Sequence, residues 1–157
     1  MLNELKSEGK ELSSDPWGQV IDLMIRKVKR TGRSGGGGFY EYPNNNNKFL
    51  WPDLKKYFPL SENQLSEDEM IDRFYFSQVI ESIRCYEENV ITSVKDANVG
   101  SVLGWGFPSF KGGTLQFAND YGLINFRNRS QELADKYGER FSPPKLLNQM
   151  SEKGETF

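Results

Sequence analysis

The stretch from Gly100 to Gly122, reading GSVLGWGFPSFKGGTLQFANDYG, constrains the fold more than any other part of this chain. It sets Trp105, Phe107, Phe110, Phe117 and Tyr121 among six glycines and a proline. One long helix does not suit that mixture, because interior glycine and proline both cost helix stability. A flexible linker does not suit it either, because five large rings carry far more apolar area than a solvated tether holds. The remaining solution is a tight connection between short helices inside a core, with glycine supplying close approach and positive φ. The five aromatics are therefore the candidate packing and interface residues.

At 157 residues the chain is long enough for one domain with a core of its own. Cys85 is its single cysteine, which excludes an internal disulfide framework and points to a reducing, cytoplasmic setting. No secretory h-region and no membrane-length apolar run is present. A net charge of −2 gives no electrostatic case for nucleic acid or an anionic membrane. The chain has no histidine. Proton transfer would have to use a carboxylate, lysine or tyrosine, and the commonest zinc and triad arrangements cannot be built. No catalytic, cofactor-binding or metal-ligating residue is assigned.

Met1 to Ser14 is polar, without a sustained period, and reads as the end of something longer. Asp15 and Pro16 then read as N-cap and first helical residue. Trp17, Val20, Ile21, Met24 and Val28 follow at helical spacing, with Gly32 just past the end. Arg26, Lys27, Lys29, Arg30 and Arg33 crowd the C-terminal end of this helix. They could meet the phosphates of a nucleotide or coenzyme A, but cations complementing the helix dipole on a solvated face explain them more simply. The Gly32 to Gly38 loop also invites a phosphate. However, it leaves a helix and enters the strand-like Phe39 to Tyr42, the reverse of the strand-to-helix order of nucleotide loops, so a connector is the better reading. Pro43 and Asn44 to Asn47 form a polar turn. Trp51 and Pro52 open a short helical segment closed by Pro59.

Ser66 and Glu69 form a capping box for a helix predicted to run to about Asn89. Its Ile71, Phe74, Phe76, Val79, Ile80, Ile83 and Tyr86 spread over more than one stripe, so burial from several sides is expected. Arg84 is spaced for ion pairs with Glu81 and Glu88. Cys85, without a histidine base, reads as a buried inert thiol. Further helices are predicted over Asp96 to Leu103, from Gly113 to Gly122, from Gly122 to Gly138, and from Lys145 to Met150 after Pro143 and Pro144. The architecture is all-α, with six or seven helices and at most one short strand pair near 38–42. Asp15-Pro16 and Pro143-Pro144 each open a helix that ends in glycine and phenylalanine. This echo suggests that residues 1–45 are the tail of a first, truncated helical repeat, 46–65 a linker with a short helix, and 66–157 a second repeat, all packed as one domain.

The ordered set Gly32-Arg33-Ser34-Gly35, Gly38-Phe39-Tyr40-Glu41-Tyr42, Ile71-Asp72-Arg73, Arg84-Cys85-Tyr86-Glu87-Glu88, Asp96-Ala97-Asn98-Val99-Gly100, Gly104-Trp105-Gly106-Phe107-Pro108, Gly112-Gly113, Tyr121-Gly122 and Lys153-Gly154-Glu155-Thr156-Phe157 resembles the C-terminal helical region of 3-hydroxyacyl-CoA dehydrogenases. It is most similar to the multifunctional fatty-acid oxidation α-subunits, where this region is duplicated. The resemblance implies a multi-helix bundle of the 6-phosphogluconate dehydrogenase C-terminal-like type. It also implies an upstream Rossmann domain that binds NAD and supplies a catalytic histidine and glutamate, and dimer or interdomain contacts made by the helices. Acyl-CoA would be a substrate of the intact enzyme.

No GxGxxG follows a strand in this chain, so the dinucleotide fingerprint is missing along with the histidine. The family's long helix begins with an asparagine before arginine, in a segment that helps position substrate. The matching residue is Asp72, an acceptor-only carboxylate, and the degenerate position is read instead as a first-turn helix residue. The expected function is that of a structural and dimerisation domain, inactive alone, with an exposed apolar patch where the upstream domain docks. The alternative is a free-standing module that holds acyl-CoA or a partner helix near Trp105 and Phe110.

Overall fold

A computed structural model describes residues 16–43 and 47–157. Met1 to Ser14, the Asp15 cap and Asn44 to Asn46 of the polar turn lie outside the described residues. The chain divides into two compact units between Gln64 and Leu65. Among the described residues there are seven α-helices and one pair of two-residue strands, the all-α architecture the sequence predicts.

In the first unit, α1 (Pro16–Asp22) runs into a π-helical turn (Leu23–Lys27), with the Val28 N–H bonded to the Leu23 carbonyl. The helical run ends at its C-cap Val28, the last residue of the predicted stripe, where Lys29 takes a left-handed conformation at φ 62°. Met24 is buried, whereas Trp17 is 52% exposed and does not join the stripe expected of it. Strand β1 (Tyr40–Glu41) pairs antiparallel with β2 (Phe49–Leu50), placing Tyr40 opposite Leu50. A single helical turn, α2 (Leu54–Tyr57), follows, and Tyr57 stacks on Trp51 at 5.5 Å.

The second unit is built on α3 (Glu67–Glu87). Its Phe76, Val79, Ile80 and Ile83 are fully buried, and they fall on one side of the helix. Met70, Ile71 and Phe74 on the far side are exposed, Phe74 by 70%. The expected burial from several sides is thus not found within this unit. α4 (Val94–Trp105), α5 (Thr114–Tyr121), α6 (Leu123–Tyr137) and α7 (Lys145–Lys153) complete it, with α5 packed on both α3 and α4, and α7 on α3 and α6.

Only half of the capping box forms. Ser66 Oγ accepts from the Glu69 N–H at 3.2 Å, but the Glu69 carboxylate turns to the Tyr137 hydroxyl and to Lys136 Nζ on α6. Arg84 pairs with Glu81 at 3.2 Å, yet its other nitrogen donates to the carbonyls of Glu139 and Ser142 rather than to Glu88. Glu87 Oε1 accepts from the Leu146 N–H at 2.9 Å and so caps α7. One end of α3 therefore fixes the connector between α6 and α7.

Candidate functional site

The hub forms where α4 meets α5. Asn98 Oδ1 accepts from the N–H groups of Leu115 (2.9 Å) and Gln116 (3.0 Å), and Ser101 Oγ accepts from that of Thr114 (3.2 Å). Side chains of α4 thereby satisfy the free amides that begin α5, a task helices usually leave to their own N-cap. Gly113 makes the approach possible. It sits at φ +110°, and a Cβ there would lie 2.7 Å from the Asn98 carbonyl oxygen.

The five hub aromatics separate into two sets. Phe107 and Phe117 are buried and Tyr121 is half-buried. Phe117 sits edge-on to Phe76, Phe107 and Phe126, and Phe76 stacks on Phe126 with centroids 4.2 Å apart. Trp105 and Phe110 are exposed, by 55% and 80%. The Trp105 indole N–H donates to Gln78 Oε1 at 2.9 Å, which holds the ring against the outer face of α3.

That outer face carries two depressions. One, of about 360 Å³, is lined by Leu65, Met70, Phe74, Phe141 and the arginines Arg73 and Arg140. The other, of about 460 Å³, lies between Trp105, Ile91 and Cys85. Both are bounded by Ser77. Cys85 is only half-buried and lines the second depression, where the sequence reading has a buried thiol.

Asp72 is the sixth residue of α3, beyond the first turn, which Glu67, Asp68 and Glu69 occupy. It does not serve the helix dipole. Instead Arg129 Nε of α6 donates to Asp72 Oδ2 at 2.8 Å, with both side chains about one-fifth exposed (21% and 23%). Arg129 also binds Glu132 at 2.8 Å; that bond, joined by Asp72 against the opposing effect of burial, raises its pKa further. Burial, with Asp72 adding, raises the nearby Tyr121 phenol. Arg129, Asn98 and Tyr137 are site residues that the sequence alone does not single out. A partner 57 positions away leaves no local spacing signal, although Asn98 does fall within a family-like run.

The glycine loop is tied to itself and to Arg30. Gly32 and Gly37 exchange backbone hydrogen bonds at 2.9 and 3.0 Å, so the loop closes on itself. Arg30 Nε donates to the Gly38 carbonyl at 2.7 Å, pairs with Glu41 at 3.0 Å and lies 4.5 Å from the Trp51 ring. Arg30 is thus a structural clamp rather than a solvated cation. Among the described residues no strand, glycine loop and helix follow one another in the order of the dinucleotide fingerprint. Among the described residues no group of three or more acidic or cysteine side chains is placed to hold a metal. None of the described helices is long and apolar enough to cross a membrane.

No family model matches the chain. It is 33% identical over 139 residues to the fatty acid oxidation complex subunit alpha of Vibrio cholerae serotype O1, in both strain O395 and strain N16961. The match takes in 88% of this chain and 20% of each relative's length. The crystal structure of M. tuberculosis FadB2 aligns with a TM-score of 0.49 at 23% identity, over 55% of this chain and 29% of that one. The chain is homologous to a segment of fatty acid oxidation complex α subunits, about a fifth of their length.

Proposed function

We propose that this chain is the structural C-terminal region of an NAD-dependent 3-hydroxyacyl-CoA dehydrogenase of fatty acid β-oxidation, whose intact form oxidises 3-hydroxyacyl-CoA to 3-ketoacyl-CoA. The observation that carries this reading is the 33% identity that runs over 88% of the chain. The absence of histidine is in keeping with it, because a histidine general base of the family's kind would then lie elsewhere in the parent protein. In this reading NAD and acyl-CoA are handled by the rest of the parent protein, residues 66–157 form a second helical repeat, and residues 1–45 are the tail of a first. Trp105 and Phe110 then serve contact with the dehydrogenase domain or with a second copy. A single cysteine is in keeping with a reducing cytoplasm.

Two measurements test the proposal. The purified chain should not oxidise NADH in the presence of acetoacetyl-CoA. Grafted in place of the matching region of a Vibrio α subunit, it should leave dehydrogenase turnover within about tenfold of the parent. Turnover by the free chain would overturn the reading. The exposed Phe110 and Trp105 favour, as a second reading, a free-standing binding module. Sub-millimolar binding of acyl-CoA by the isolated chain in calorimetry would favour that module instead.

A further inference from the structure

The outer face of α3 has the pattern of a helix-packing seam. Met70, Phe74, Ser77 and Glu81 recur at spacings of four, three and four, the repeat by which one helix presents knobs and holes to another. A large exposed ring at Phe74 stands beside the small Ser77, and the two depressions meet at that serine. Taken as one trough, the two run along α3 from Met70 to Cys85, about 22 Å at helical rise.

Charge gives the trough a direction. At the Met70 end, Arg73 lies 4.2 Å from the Tyr137 ring and Arg140 lies 5.0 Å from that of Phe141. Neither has a carboxylate partner among the described residues, so both guanidiniums are held on aromatic faces with N–H groups left to donate. At the other end Glu81 is already paired with Arg84. The two cations therefore set the preference of the whole trough.

We propose that this trough binds an amphipathic helix of a partner protein, about four turns long, with apolar side chains seated on either side of Ser77 and carboxylates at the end that meets Arg73 and Arg140. The 4-3-4 repeat favours a helix over a lipid tail, because a lipid tail has no use for alternating large and small side chains at helical spacing. The inference names the chemistry of a partner for the docking role proposed above and rests on that reading only for which protein supplies the helix.

The test uses two synthetic helical peptides of about 16 residues with the same leucine stripe. One carries two glutamates at one end and the other two lysines at the same positions. Binding to the whole chain is followed through backbone amide shifts and the Trp105 indole N–H. The acidic peptide should bind at least tenfold more tightly than the basic one, with shifts confined to α3, Trp105 and the Glu139–Phe141 turn. Substituting Arg73→Gln and Arg140→Gln should abolish the preference, while Phe74→Glu should weaken both peptides with an unchanged circular dichroism spectrum. Equal affinities, shifts elsewhere, or dodecanoate displacing the acidic peptide from the trough would overturn the proposal. Because no coenzyme or turnover enters the measurement, its failure is distinguishable from failure of the dehydrogenase reading.

Discussion

Asn98 and Gly113 lie in direct contact, and that contact fixes how closely α4 and α5 approach. Glycine is required at 113 for two reasons at once. The backbone there is left-handed at φ +110°, and any Cβ would run into Asn98. Gly113→Ala should therefore destabilise the second unit by about 3 kcal/mol or more, since backbone strain and overpacking add. Asn98→Ala removes the cap alone and should cost about 1–2 kcal/mol. Urea denaturation of both variants checks the order, and a cost below about 1 kcal/mol for Gly113→Ala would contradict the contact.

The hub aromatics should differ sharply in their effect on stability. Phe117→Ala empties a buried site surrounded by rings and should cost about 3–5 kcal/mol. Phe110→Ser alters a side chain that is 80% exposed and should stay within about 0.5 kcal/mol of the parent. Thermal unfolding of the two variants side by side would expose any error in assigning one to the core and the other to the surface.

Asp72→Asn tests the degenerate family position. The substitution restores an amide, but among the described residues it leaves Arg129 with Glu132 as its only carboxylate. A loss of about 1 kcal/mol is expected for a pair this exposed, with no gain of acetoacetyl-CoA turnover by the chain. Measurable turnover in the variant would show that Asp72 had replaced a working group.

The Glu69–Tyr137 contact predicts a pH window. The Tyr137 hydrogen bond, ahead of the nearby Lys136, holds Glu69 below the usual carboxylate range, so its contribution is complete above that range and is lost as pH falls through the lowered value. Glu69 in turn raises the Tyr137 phenol, whose contribution is complete below the ordinary tyrosine range and is lost as pH rises through the raised value. The stability difference between the parent and Tyr137→Phe should therefore be flat from about pH 5 to about pH 9 and shrink on either side. A difference independent of pH beyond both limits would argue that the contact is not made.

Glu87→Ala should uncap α7, since its carboxylate accepts from the Leu146 N–H at 2.9 Å across the fold. Faster amide exchange in Leu146 and Leu147, with a loss of about 1 kcal/mol, is the expected result. Unchanged exchange at those amides would show that proline at 144 sets the helix start without help.

Much of the architecture is local in origin and was legible in the sequence. Ser66 starts a helix because a hydroxyl can satisfy an amide three residues on, and it does so; Ser93 caps α4 in the same way, with the helix starting at Val94, two residues before the predicted start at Asp96. Gly138 and Gly154 end helices because they adopt positive φ without penalty. The candidate site was only half legible. Trp105, Phe107, Phe110 and Phe117 have no period that separates inside from outside, since turns between short helices reset the direction of each side chain.

What the sequence determined by itself was the element order, the all-α class, the demand for close approach in the glycine and aromatic hub, and the want of a histidine base. What only the tertiary structure decided was which chain-distant groups meet. Asp72 meets Arg129, Glu69 meets Tyr137, Asn119 exchanges two hydrogen bonds with Phe157, and Arg73 and Arg140 are held on rings beside an open apolar trough. The physical reason is range. Caps and helix stops act within a few residues, whereas the side on which α3 is left bare depends on how α5, α6 and α7 divide its circumference, and only their packing fixes that.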